Sequence, residues 1–333
     1  MSKLTRIAAS IAVGSMVTVA GSAHALLIDP FGTAGASTYD VATFGWQNGN
    51  SISTPISTVN GTVNNTAVGD TVQAYGHAKL QGFGDANGDT MSISGFNPNS
   101  WSYVFGFQET VAVATDVGVE SARTFRTIAS STGNFFEIWA NGNNAVDLTG
   151  KGFNGDGGAV LILSGTVLPW NALTGEGQTD FKSSSAVLVD LDQFGTNQYS
   201  GYQTVTGTGG GSISVLVGYR NPNYILTDIV NMDVEILTDT FNNLPYSQVN
   251  PSSCFWNGAA YFTGAGNGIT DGCGGIGDGG TIGINGVYLA GTAYTNTQFS
   301  TRATSVLPIP EPGTLALLGA GLFGMAFRQR RKV

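Results

Sequence analysis

The sequence predicts an all-β protein: an antiparallel, β-sandwich-like body of short strands and Gly/Asn-rich loops, flanked by two targeting segments. Three observations carry this. Between Leu26 and about Ser305 no helical period is sustained over three turns, whereas runs rich in Val, Ile, Thr and aromatic residues recur between Gly and Asn clusters. Charged residues make up only 11% of the chain and Gly 49 of its 333 residues, which starves amphipathic helices of Glu, Lys and Arg. Hydrophobic residues still reach 41% and aromatics 10%, enough for a packed core and too much for a disordered polar chain.

The chain opens with the cations Lys3 and Arg6, continues as an apolar run from Ile7 to Ala20, and reaches Ala23-His24-Ala25. This is the layout of a secretory signal peptide over residues 1–25, with a small-x-small cleavage site at Ala23 and Ala25. The protein is therefore expected to be exported, with Leu26 as its mature start. Strands are then expected at Thr71–Leu80, Tyr103–Thr115, Asn134–Trp139, Ala159–Val167, Ala186–Leu191, Ser212–Tyr219, Asn231–Thr238 and Thr281–Thr292. Ile213, Val215 and Val217 share one face, and Met232, Val234 and Ile236 alternate with Asp233 and Glu235, as in strands with one solvated side. Gly207 to Gly211 reads as a loop or hairpin. With no internal repeat and no Pro-rich linker, residues 26–295 are expected to form one extracellular domain and residues 296–309 a stalk.

The last segment, 310–333, has its own pattern. Pro310-Glu311-Pro312 precedes Gly313 to Phe327, a stretch without a charge, which is closed by Arg328, Arg330, Arg331 and Lys332. As a transmembrane helix that stretch would span about 22 Å, short of the ~30 Å hydrocarbon core. The cations hold its end in the cytoplasm and leave the body outside. Pro-Glu-Pro, short apolar span and basic terminus, in that order, resemble the PEP-CTERM sorting signal of Gram-negative bacteria. The resemblance implies transient inner-membrane anchoring and recognition by a membrane-embedded sorting enzyme, an exosortase. Cleavage near Pro310-Glu311-Pro312 and onward passage to the cell surface or extracellular matrix would follow.

Setting aside both ends leaves seven basic residues against 21 acidic ones in the body, about −14, and His77 as its one histidine. A surface of that sign repels phosphate backbones, so nucleic acid is excluded as a partner. A single histidine, with no H-E-x-x-H, P-loop or strand-borne GxGxxG, gives no basis for Ser-His or Cys-His catalysis or a His-based zinc site. No catalytic residue and no cofactor is assigned. The metal candidate is Ca²⁺ at Asp85, Asn87 and Asp89, spaced D-x-N-x-D, although Phe96 stands where an EF-hand carries its bidentate Glu; the alternative is an Asx turn. Glu109, Glu120, Glu137 and Asp147 are the carboxylates available for glycoside chemistry, and the sequence brings no two of them together. Glu137 lies among Phe135, Phe136 and Trp139, a setting that suits sugar stacking and an alternating strand alike. Cys254 and Cys273 are expected to pair as a disulfide, the default in an oxidising compartment.

Several blocks of the body resemble the flocculation-associated PEP-CTERM protein family. They are Asn134 to Trp139 (NFFEIW), Leu148 to Asn154 (LTGKGFN), Ala159 to Val167 (AVLILSGTV), Leu191 to Tyr199 (LDQFGTNQY), Ser212 to Val217 (SISVLV) and Ser247 to Ser252 (SQVNPS). The resemblance implies a non-enzymatic cell-surface or matrix protein that supports floc or biofilm formation, with exopolysaccharide as partner. A glycan-processing enzyme of the same matrix (a glycosidase or lyase) and a Ca-dependent adhesin are the alternatives.

Overall fold

The computed structural model describes residues 26–47, 49–57, 67–117, 120–140, 152–154, 158–187, 204–238, 288–289, 292–293 and 297–306, all within one compact unit, Leu26–Pro308. The expectations for Ala23, Ala25, Cys254, Cys273, Pro310, Glu311, Pro312, Arg328, Arg330, Arg331 and Lys332 lie outside the described residues.

In chain order the strands are β1 (Leu26–Ile28), β2 (Tyr39–Val41), β3 (Thr43–Trp46), β4 (Gly49–Ser57), β5 (Thr71–Gly84), β6 (Ser102–Val117), β7 (Glu120–Thr127) and β8 (Phe135–Ala140). There follow β9 (Val160–Val167), β10 (Gln178–Val187), β11 (Thr204–Arg220), β12 (Asn231–Thr238), β13 (Tyr288–Leu289), β14 (Thr292–Ala293) and β15 (Thr297–Val306). A 3-10 turn at Pro98–Ser100 is the one helical piece among the described residues. The expected strands around Thr71, Tyr103, Asn134, Ala159, Ser212 and Asn231 appear as β5, β6, β8, β9, β11 and β12. Ala186–Leu191 and Thr281–Thr292 fall largely outside the described residues.

The architecture differs from two stacked sheets. One antiparallel sheet runs β3–β5–β6–β8–β9–β11–β12–β15 and returns from β15 to β3. Three places in this ring are each filled by two strands laid end to end. β4 continues β3 between β15 and β5, β7 continues β8 along β6, and β10 continues β9 along β11. The result is an up-and-down meander closed by its first and last strands, which removes the unpaired edges that an open sandwich would keep.

Two further expectations are corrected. Residues 296–309 are not a stalk throughout, because Thr297–Val306 form β15 and close the ring. Its inward residues Ala303 and Ser305 are small and fully buried, and Ser305 Oγ accepts a 2.8 Å hydrogen bond from Trp46 Nε1. Gly207 to Gly211 is not a loop either: it is paired strand within β11, against β10 throughout and against β12 from Gly209 onward. The glycine is needed at Gly211, where a Cβ would stand 2.3 Å from the Gln178 carbonyl oxygen.

Inside the ring, alternate residues form the core: Trp46, Leu80, Tyr103, Phe105, Phe136, Ile138, Val167, Ile213, Val215, Met232 and Val234 are buried together. Tyr103 stacks on Phe105 and Phe136, each at 5.7 Å, and meets Trp46 edge-on at 4.8 Å. Asn134 holds the joint between β7 and β8: its Oδ1 accepts from the Gln108 amide and its Nδ2 donates to the Ile128 and Val167 carbonyls.

Candidate functional site

Strand β8 divides its side chains between two faces. Phe136, Ile138 and Ala140 enter the core, while Phe135, Glu137 and Trp139 face outward and stay partly exposed. Register sets their neighbours. Val104 of β6 stands opposite Glu137, and Gly106 opposite Phe135; Tyr75 of β5 pairs with Gly106. On the other side Ser164 of β9 pairs with Glu137, and the exposed Tyr219 of β11 pairs with Ser164. An aromatic face with interspersed polar groups thus crosses β5, β6, β8, β9 and β11. Gly106 permits it: a Cβ there would lie 2.5 Å from the Phe135 ring and 2.9 Å from that of Tyr75. Those two rings sit 6.4 Å apart.

Trp139 Nε1 donates to Glu137 Oε2 at 3.0 Å, which fixes indole and carboxylate relative to each other. Burial pushes the Glu137 carboxyl above its ordinary pKa, and the indole hydrogen bond opposes that in part. Burial likewise raises the Tyr75 phenol to about 12, so it stays a neutral hydroxyl.

His77 belongs to the same side of β5 but is buried, its ring 4.0 Å from that of Phe153. Desolvation drives its pKa down to about 3, with the Lys79 cation adding to the effect. The Phe153 carbonyl accepts from Ser102 Oγ at 2.6 Å, and Phe153 packs on Tyr75 and Val104. A neutral, enclosed imidazole is a packing element here, not an exposed proton shuttle.

The two candidate carboxylates whose side chains are described, Glu109 and Glu137, do not converge. Val104 shares the outer face with Glu137; Glu109 lies five residues further along β6 with no register shift between them, hence on the opposite face. There it is buried, accepts from Thr179 Oγ1 at 2.7 Å, and is pushed up to about 7 by desolvation. The Glu120 side chain and Asp147 lie outside the described residues.

Asp85, Asn87 and Asp89 form the turn after β5. Asp85 Oδ1 accepts from the amides of Asn87 and Asp89 at 2.8 and 2.9 Å. These contacts, the Asp89 amide foremost, hold its carboxyl below the usual range. That is the geometry of an Asx turn. Among the described residues no three His, Cys, Asp or Glu side chains are grouped to hold a metal ion.

One contact escapes sequence reasoning altogether. The Arg126 guanidinium of β7 lies 3.7 Å over the ring of Trp170, in the loop that connects β9 to β10. Nothing in the spacing of two residues 44 positions apart announces that pairing; only closure of the sheet brings β7 beside β10.

No curated protein and no solved structure matches the chain. A family model described as the PEP-CTERM protein-sorting motif matches residues 308–332, the segment with Pro310-Glu311-Pro312, the apolar span and Arg328 to Lys332. Signals of this kind are recognised by exosortase and indicate an extracellular surface protein processed by that enzyme. The chain ends in a PEP-CTERM sorting motif.

Proposed function

We propose that the exported body is a non-enzymatic surface or matrix protein that retains exopolysaccharide around cells and so supports floc or biofilm formation. The observation carrying this reading is the outer row Phe135, Glu137, Trp139 beside Ser164 and Tyr219, backed by the buried Tyr75. The C–H faces of pyranose rings stack on aromatic side chains, while a carboxylate and hydroxyls between the rings take up sugar hydroxyls. The Glu137–Trp139 hydrogen bond pre-organises one such ring and lowers the ordering cost of binding. Glu109 and Glu137 face opposite sides of the sheet, and glycoside hydrolysis needs two carboxyls flanking one bond, which supports retention over cleavage. The sorting motif and the ordered sequence blocks support the same setting, the surface or matrix of a Gram-negative cell after transient inner-membrane anchoring.

The test is co-sedimentation of the full chain with exopolymer purified from floc-forming cells, alongside an assay for reducing ends. The wild type binds without releasing reducing ends, and Trp139→Ala lowers affinity about tenfold, a difference of about 1.4 kcal/mol. Undiminished binding by Trp139→Ala contradicts the proposed face. Reducing ends that depend on Glu137 move the protein to glycan processing.

A further inference from the structure

The outer wall extends beyond β8, because β7 continues its line along β6 and β10 continues that of β9 along β11. Arg126 stands on this extension, half-buried, paired with Gln178 of β10, its guanidinium stacked on Trp170. The backbone beneath is pinned, the Trp170 amide donating to the Thr127 carbonyl at 2.9 Å. Arg126 Nε reaches Gln178 Oε1 at 3.4 Å. Its two terminal nitrogens donate to no described residue.

That vacancy runs against the composition. With 21 acidic residues for seven basic ones in the body, a carboxylate partner is easy to supply, and other arginines have one. Arg123 pairs with Asp116 at 2.8 Å, and Arg220 with Asp228. Beside Arg126 the available carboxylate is directed away: Asp180 Oδ1 accepts from Thr124 Oγ1 at 2.6 Å and Oδ2 from Gln178 Nε2 at 3.3 Å. A half-buried guanidinium kept from its neighbouring acid, and held rigid by an indole, presents a planar pair of donors matched to a bidentate carboxylate. Stacking would also fasten the β9–β10 loop, but fastening does not require the terminal donors to stay open.

We infer that Arg126, set on Trp170, is a carboxylate anchor, and that its ligand is a uronate unit of an acidic polysaccharide. This rests on the retention reading above and adds to it the charge of the polymer. The net charge of the body opposes a polyanion at most places, so binding is local and weakens as salt screens the single anchoring pair.

Calorimetric titration of the full chain with tetragalacturonate and with neutral cellotetraose tests the inference. The acidic oligomer is expected to bind at least about tenfold more tightly. Arg126→Gln abolishes that preference while leaving cellotetraose unaffected, and Arg126→Lys, which keeps the charge but not the fork, restores only part. A connecting loop loosened by loss of the stack would weaken both probes equally, and that result overturns the anchor. So does a preference surviving Arg126→Gln. If Trp139→Ala abolishes binding of both probes while Arg126→Gln changes neither, the anchor falls and the retention face stands. If neither the probes nor the purified exopolymer binds the wild type, both fall.

Discussion

Glu109 and His77 place opposite acid–base demands on one fold. Glu109 is held at about 7 against an ordinary 4.5, so as pH rises the unfolded chain ionises first. Stability therefore falls between about pH 4.5 and pH 7 and levels off above. Glu109→Gln, which can still accept from Thr179, is expected to exceed the wild type in stability at pH 8, by on the order of 3 kcal/mol, and to match it near pH 4. Denaturant unfolding at the two pH values checks this; equal differences at both would contradict it. His77 works the other way. Its folded pKa of about 3 lies below the ordinary 6.5, so the unfolded chain gains a proton first and stability drains away as pH falls through that window. His77→Phe should flatten this acid limb in the same experiment. At Asp85, whose Oδ1 already accepts from two backbone amides, the turn needs no ion. Adding Ca²⁺ or a chelator is expected to leave the melting temperature unchanged, and a rise of several degrees with Ca²⁺ would revive the metal candidate.

Among the elements, the strands legible in the sequence are those whose inward residues are large and apolar. β6 with Tyr103, Phe105 and Phe107, β8 with Phe136 and Ile138, and β12 with Met232 and Val234 announce themselves by alternation. β15 does not. Its inward positions include Ala303 and Ser305, small because they face the bulk of Trp46 across the β15–β3 pairing, so no hydrophobic period survives to be read. The Gly207 to Gly211 stretch misleads for the converse reason: a Gly-rich run, with Gly211 required by the close approach of the Gln178 backbone, looks like a turn when the neighbouring strands are unknown. Of the candidate face, Phe135, Glu137 and Trp139 could be read as a row, whereas Tyr75, Ser164, Tyr219 and the Arg126–Trp170 stack join it only through register. Two substitutions test this level. Ser305→Ala leaves the buried Trp46 indole N–H without its acceptor and should cost about 1–3 kcal/mol of unfolding free energy. Gly106→Val drives a side chain into Phe135 and Tyr75 and should cost about 1–3 kcal/mol, with loss of polymer binding as the outer face is displaced.

For the whole molecule, closure joins the two ends of the meander, with Thr43 of β3 paired to Val306 of β15. The sorting motif begins at residue 308, two residues past the last strand. Cleavage near Pro310-Glu311-Pro312 therefore spares the ring, and chains ending just before Pro310 should melt at the same temperature as full-length protein in detergent. The most direct test of polysaccharide retention is the amount of exopolysaccharide held by cells lacking the protein. Complementation with the wild type is expected to restore retained polymer and compact flocs, whereas the triple variant Phe135→Ala, Glu137→Gln, Trp139→Ala reaches the surface at normal level and restores neither. Full restoration by the triple variant, or unchanged polymer when the protein is absent, would contradict the account.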